Sequence, residues 1–188
     1  MFGVVLGGSN NIFSVECEDT IIRQCSIKGK KLEASKGYYN PLAPGDKVEI
    51  EIDEQTETEG QIVDLVPRKN EFVRWNVKGR SPQLLAANLD NIIIVTTPDE
   101  PPFRPRFVDR ALAQAEYENI EPIIVCNKCD LPAATDEDFE ARLSDWEGMG
   151  YRIIKVSAKN GEGLEELAEF LEDKLCALVG QSGVGKSS

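Results

Sequence analysis

Gly180-Gln181-Ser182-Gly183-Val184-Gly185-Lys186-Ser187 fits the pattern G-x4-G-K-S/T, and residues 175–179 before it read as a strand. A strand that empties into glycines is how a chain makes a phosphate cradle. The glycines let the backbone curl so that successive N–H groups face phosphate oxygens. Lys186 then reaches the β- and γ-phosphates, and the Ser187 hydroxyl sits on Mg²⁺. The helix that follows such a loop adds its positive end, and it is expected after Ser188. Gly180, Gln181, Ser182, Gly183, Val184, Gly185, Lys186, Ser187 and Ser188 are therefore candidate nucleotide-binding residues, with Ser187 the candidate metal ligand.

The base is read elsewhere. Asn127-Lys128-Cys129-Asp130 fits N-K-x-D at the end of a predicted strand over 122–126. The Asp130 carboxylate can accept two hydrogen bonds, from guanine N1–H and its 2-amino group, and adenine offers neither donor there. Charged hydrogen bonds are worth about 1.5–3 kcal/mol each, enough for strong discrimination. Asn127 and Lys128 support the base and the adjoining loop, and Cys129 completes the candidate nucleotide-binding stretch. Ser157-Ala158-Lys159 follows thirty residues after Asn127, again at a predicted strand end. In GTPases the alanine N–H at this place contacts guanine O6. Ordinary GTPases carry the phosphate loop first. Here the base reader precedes it by about fifty residues, an order that points to circular permutation.

Around these motifs, residues 88–188 alternate strand and helix. Strands are expected at 92–97, 122–126, 153–156 and 175–179. Helical stripes run through Phe107, Ala111, Leu112 and Ala115; through Phe139, Leu143 and Trp146; and through Leu164, Leu167, Ala168 and Leu171. Thr135 and Asp138 fit a capping box before the second helix. Such alternation implies a mainly parallel sheet covered by helices. Residues 1–67 have another rhythm. Over 46–53 the alternation is strict, with Val48, Ile50 and Ile52 expected inward. About five short strands result. A closed OB-type barrel satisfies them because closure removes exposed edges, with an SH3-like barrel as the other candidate. Residues 68–87 are polar, carry Pro82 and read as a connector. The fold class is thus an all-β OB-type barrel followed by an α/β P-loop domain.

The chain has 188 residues and a formal charge of −12, which argues against a generally basic nucleic-acid binder and leaves room for local basic patches. Such clusters occur at Lys28, Lys30 and Lys31; at Arg68, Lys69, Arg74, Lys78 and Arg80; and at Arg104, Arg106 and Arg110. They are either solvating charge or an RNA-contacting strip; Lys28, Lys30, Lys31, Arg68, Lys69 and Arg74 are the RNA-binding candidates. The run 92–95 is too short to span a bilayer, so no membrane partner is expected. Five scattered cysteines fit a reducing compartment and a cytoplasmic location. Cys126 and Cys129 form C-x-x-C, but the chain has no histidine to complete a zinc site, and the overlap with N-K-x-D explains the spacing. Asp145-Trp146-Glu147-Gly148 matches the γ-phosphate element D-x-x-G but falls at a predicted helix end, where the match is chance. An ATPase or small-molecule kinase conflicts with Asn127 to Asp130.

With these motifs in this order, the whole chain resembles the circularly permuted GTPases that assist maturation of the small ribosomal subunit in bacteria. Pro67-Arg68-Lys69-Asn70-Glu71-Phe72-Val73-Arg74 and Ala86-Ala87-Asn88-Leu89-Asp90 resemble that family's domain junction, and Phe107-Val108-Asp109-Arg110 the start of its first G-domain helix. The resemblance implies binding of GTP and GDP with Mg²⁺, hydrolysis stimulated by the small subunit, rRNA contact by the barrel, and a monomer. It also implies a zinc domain, a switch threonine and a γ-phosphate D-x-x-G, all expected after Ser188, so the P-loop domain is expected to be incomplete. The catalytic residue is unknown from this sequence. The alternative is a catalytically inert module that binds rRNA or the ribosome.

Overall fold

A computed structural model describes residues 1–29, 37–53 and 56–187. The chain divides into two compact units, Met1–Leu89 and Asp90–Ser188.

In the first unit, β1 (Phe2–Ser9), β2 (Ile12–Cys17), β3 (Ile22–Ile27), β4 (Lys47–Ile52) and β5 (Glu59–Leu65) close a barrel in the order β1-β2-β3-β5-β4. Five-stranded closure is the OB-type solution. All pairings are antiparallel except β3 with β5. Alternation puts Val5, Phe13, Val15, Val48, Ile50 and Ile62 in one core. Ile52, expected inward, is exposed: it lies at the last position of β4, past the closed part of the core.

The stretch 68–87, read from the sequence as a connector, instead contains a hairpin of β6 (Glu71–Asn76) and β7 (Ser81–Ala87). Two features hide its period. A register shift between Phe72 and Val73 breaks the alternation, and Pro82 sits in a strand. A two-stranded ribbon tolerates that proline because both strands are edges. The Gly79 N–H donates to Asn76 Oδ1 (2.9 Å) in the turn, and Arg80 adopts φ of 49°. Trp75 and Val77 stand exposed at this end.

The hairpin is bound to the barrel by a buried ion pair. Arg68 Nε and Nη2 donate to the two Asp46 carboxylate oxygens at 2.6 and 2.9 Å, and Nη1 donates to Glu71 at 3.0 Å. The Asp46 side chain is fully buried and that of Arg68 is 5% exposed. Side-chain amides add further ties. Asn70 bonds both the N–H and the carbonyl of Leu89, and Asn40 bonds both the N–H and the carbonyl of Leu84.

The second unit holds a four-stranded sheet in the order β10-β9-β8-β11, every pairing parallel: β8 (Asn91–Thr96), β9 (Glu121–Cys126), β10 (Arg152–Lys155) and β11 (Cys176–Gly180). All six β8 residues are buried, as a central parallel strand requires. α1 (Pro105–Tyr117) packs on β8 and β9 with Val108, Leu112 and Ala115 buried. α2 (Glu137–Gly148) buries Phe139, Leu143 and Trp146. Its N-cap is Asp136, whose carboxylate accepts from the Asp138 N–H (3.0 Å). Thr135, expected in that role, ends a 3-10 turn and donates its hydroxyl to Pro132 O. On α3 (Leu164–Leu171), Leu167, Phe170 and Leu171 meet the core, while Ala168, expected in that stripe, is exposed. Asp145 to Gly148 lie in α2, with Trp146 buried beside Phe103, which also meets Phe139, consistent with a chance match to D-x-x-G.

Removing one partner of a buried ion pair leaves an uncompensated charge, which costs about 3–5 kcal/mol. Arg68→Ala is therefore expected to destabilise the barrel unit by about that amount, read by urea unfolding of the purified chain. An unchanged urea midpoint would show that the pair contributes nothing.

Candidate nucleotide-binding site

Parallel strands carry their ligands at their carboxyl ends, and here four strand ends converge. β11 leads into the glycine loop. Gly183 and Gly185 take φ of 86° and 91°, a left-handed conformation that costs glycine little and other residues much. Val184, between them, is 1% exposed and joins the sheet core with Ile93, Val95 and Val125. The loop is thereby anchored by one side chain while its other residues remain at the surface. Lys186 folds its ammonium over the loop, donating to Gly180 O (3.0 Å) and Gln181 O (2.6 Å). Ser182 and Ser187 are exposed, and Ser188 lies outside the described residues.

The N-K-x-D stretch leaves β9. Asn127 is 4% exposed, and its amide is used at both ends: Nδ2 donates to Val184 O (2.9 Å), and Oδ1 accepts from the Ala158 N–H (3.0 Å). Its own N–H bonds Thr96 O. One side chain thus ties the loop after β11 to the segment after β10. Lys128 adopts φ of 62°, and its ammonium donates to the Glu100 carbonyl. The Cys129 N–H donates to Val156 O, and its thiol lies against Cys126 O. Burial pushes both the Cys126 and Cys129 thiols up, away from the thiolate that redox or zinc chemistry needs.

Asp130 accepts a 2.7 Å hydrogen bond from the buried Ser157 hydroxyl. That bond, aided by Lys159 and partly opposed by desolvation, holds the Asp130 carboxyl below the usual carboxylate range. Lys159 itself is 80% exposed and 3.6 Å away, so its pairing is screened. Asn127, Lys128, Asp130, Leu131, Ala158, Lys159 and Glu100 line a pocket of about 350 Å³. Glu100 and its loop were not singled out in the sequence. Their contributions are a backbone carbonyl and a wall position, and the only available pointer was the location of residues 97–101 just past a buried parallel strand.

The RNA candidates fare unevenly. The Arg68 guanidinium is buried on Asp46 and Glu71, so it is not available to a solvent-borne phosphate and its assignment is withdrawn. Lys28 makes a surface pair with Glu51, Lys69 is exposed, and Arg74 is exposed with a bond to Gln83. Lys30 and Lys31 lie outside the described residues.

A parallel sheet with a glycine loop after one strand, and N-K-x-D and S-A-K after two others interlocked with it, defines a GTPase-type P-loop domain; the other unit is an OB-type barrel with its hairpin. The family model described as RsgA GTPase matches residues 65–188. The chain belongs to the RsgA GTPase family. It is 37% identical over 185 residues to the small ribosomal subunit biogenesis GTPase RsgA of Borrelia recurrentis, covering 98% of this chain and 58% of that protein. It is 33% identical over 192 residues to the RsgA of Flavobacterium psychrophilum, covering all of this chain and 59% of that one. Among solved structures, YjeQ from Thermotoga maritima matches with a TM-score of 0.76 and 34% identity, over 99% of this chain and 62% of that one. YloQ, described as a circularly permuted GTPase, matches with a TM-score of 0.71 and 26% identity, over 98% and 61%. The chain thus spans about three-fifths of the length of the curated relatives it matches.

Two outcomes are expected of this site. Asn127→Ala removes two hydrogen bonds and leaves the buried Val184 carbonyl and the half-buried Ala158 N–H unpaired, at about 2–4 kcal/mol; amide exchange of Ala158 should quicken with it, and unchanged exchange would deny the tie. Asp130 has a depressed folded-state pKa, so its contribution to stability is present above the unfolded value near 3.9 and is lost as pH falls through the folded value. Ser157→Ala should move the Asp130 carboxyl titration upward, followed by carbon NMR of the side chain.

Proposed function

We propose that this chain binds GTP and GDP through the pocket at Asp130 and the loop at 180–188, and that it serves maturation of the small ribosomal subunit as a GTP-hydrolysing factor. The observation that carries the guanine reading is the Asp130 carboxylate, held ionised by Ser157 at the wall of the 350 Å³ pocket. An acceptor-only group in that place selects a purine edge with two adjacent donors. The Ala158 N–H is held on Asn127 Oδ1, and Lys128 braces the pocket wall through Glu100. Lys186 exchanges the loop's own carbonyls for phosphate oxygens when nucleotide binds.

Among the described residues no cluster of three His, Cys, Asp or Glu side chains is placed to hold a metal. Mg²⁺ suits this donor set nonetheless, because it is commonly held by substrate phosphates, water and one or two protein oxygens. Ser187 would supply such an oxygen, and the ion would neutralise charge on the phosphates.

The order of the motifs makes the domain a circular permutation. A sheet is held by pairing and packing, so rejoining the ends of a domain leaves the geometry of its strand ends in place. The relatives' role in small-subunit biogenesis supports the small subunit and its rRNA as partners, contact through exposed residues such as Lys28, Lys69 and Arg74, and a cytoplasmic location; the chain acts there as a monomer. No helix among the described residues is long and apolar enough to cross a membrane.

Nucleotide titrations test the reading. The chain should prefer GDP and GTP over ADP and ATP. Asp130→Asn should weaken guanine binding by about 10²–10⁴, the equivalent of two charged hydrogen bonds, and shift preference toward xanthine nucleotides. Unchanged guanine selectivity in that variant would remove Asp130 from the role.

A further inference from the structure

Glu100, in the loop that follows β8, is exposed and lines the pocket of about 350 Å³ together with Asn127, Lys128, Asp130 and Ala158. Among the described residues no hydrogen bond or ion pair engages its carboxylate, although the backbone around it is held. The Glu100 N–H donates to Asp99 Oδ1 (2.8 Å), and the Glu100 carbonyl accepts from the Lys128 ammonium. The Pro101 carbonyl accepts from the hydroxyl of the buried Thr97 (3.1 Å). Glu100 and Lys128 take φ of 52° and 62°, a left-handed conformation that neither residue type adopts readily. The two meet through one hydrogen bond at the pocket wall, so the position of Glu100 is imposed by its surroundings.

The same segment borders the other half of the site. A Cβ on Gly183 would lie 3.7 Å from Pro101 Cδ, so the residue after Glu100 sits against the glycine loop. Glu100 therefore stands where the wall of the base pocket meets the phosphate loop. A nucleotide with its purine on Asp130 and its phosphates on the loop at 180–187 has its sugar between the two. The donors on that nucleotide narrow what the carboxylate can take. An ionised carboxylate only accepts hydrogen bonds. Phosphate oxygens are acceptors too, and the guanine N1–H and 2-amino group are spent on Asp130. The ribose 2′- and 3′-hydroxyls are the donors left. Their vicinal pair suits the two oxygens of one carboxylate, and an acidic side chain takes the ribose of dinucleotides by the same chemistry.

We propose that the Glu100 carboxylate binds the ribose hydroxyls of the guanine nucleotide and makes this site select ribonucleotides over deoxyribonucleotides. The proposal rests on the guanine reading of Asp130 given above and adds a second point of recognition to it. When a hydroxyl is missing, the carboxylate faces a polyanionic ligand with nothing to accept from. A bond is lost and a repulsion is left, and both count against the deoxy sugar. Lys128 is a positioning residue in this arrangement: its ammonium holds the Glu100 carbonyl and, through it, the place of the carboxylate.

Calorimetric titration of the 188-residue chain with GDP, 2′-deoxyGDP and 2′,3′-dideoxyGDP, each with Mg²⁺, tests this. The wild-type chain should bind GDP about five- to tenfold more tightly than 2′-deoxyGDP, the equivalent of one hydrogen bond, and the dideoxy form more weakly again. Glu100→Ala should bring the three nucleotides to within about twofold of one another. Glu100→Gln, which keeps the shape and one acceptor oxygen, should retain part of the discrimination. Circular dichroism melts should match for all three chains. A residue that only shapes the wall would, on substitution, weaken every nucleotide equally and leave the ratios in place, and that result refutes the proposal. A wild-type chain that binds GDP and its deoxy analogues alike also refutes it, and leaves the guanine reading standing. A loss in Glu100→Ala that falls on all three nucleotides and disappears without Mg²⁺ places the carboxylate on the ion's water and overturns the proposal. A wild-type chain that binds GDP no better than ADP overturns the guanine reading, and this proposal with it.

Discussion

The nucleotide-site unit depends on one amide group. Asn127 is the side chain through which the loop after β11 and the turn after β10 are held to each other, and it does so with a donor and an acceptor on one short stem. Aspartate lacks the donor that Val184 O requires, leucine lacks both, and glutamine carries the same groups a methylene too far out. Burial raises the stakes, since an unpaired carbonyl or N–H at this depth has no water to turn to. The backbone around it contributes as well. The Cys129 N–H bonds Val156 O, the Val156 N–H bonds Cys126 O and the Asn127 N–H bonds Thr96 O, so the ends of three adjacent strands are stitched before any ligand is considered.

The two units solve the burial of polar groups differently. The barrel keeps its backbone satisfied by closure and also buries charge, at Arg23 on its Asp19 partner and in the Arg68–Asp46 pair. An ion pair of this kind contributes less to net stability than to geometry, because desolvation offsets most of the attraction. Its fork also fixes direction: two bonds to Asp46 and one to Glu71 orient the base of the β6–β7 hairpin. The α/β unit instead uses an all-parallel sheet of near-continuous apolar strands and keeps its polar groups at the strand ends. Chemistry collects there because the two inner strands, β8 and β9, have both edges paired and only their ends are open.

Much of this was legible in the residues. Strict alternation over 46–53 announced a barrel strand, and the apolar runs at 92–95 and 123–126 announced buried parallel strands, because in each case one packing environment dominates. The glycine loop, Asn127 to Asp130 and Ser157 to Lys159 were readable as motifs because their chemistry needs particular side chains. The hairpin at 71–87 was not, since a bulge and a proline disturb its period. Asp136 rather than Thr135 caps α2, a shift of one residue that propensity does not resolve when both types cap well. Arg68 looked like its basic neighbours; only the fold brings the buried Asp46 to it from 22 positions away. The wall supplied by Glu100 carried no side-chain signal, because a carbonyl oxygen belongs to every residue, and only its place after a buried strand pointed to it.

The placement of the indole rings gives each unit its own reporter. The chain has two tryptophans. Trp146 is 1% exposed, packed in a T-shaped contact with Phe103 and donating its ring N–H to Asp109, whereas Trp75 is 61% exposed on the hairpin. Emission from the sheltered ring lies to the blue and resists acrylamide, and emission from the open ring lies to the red and is readily quenched. Melting of the sheet unit, or contact made at the hairpin, can therefore be followed separately in a single unlabelled sample.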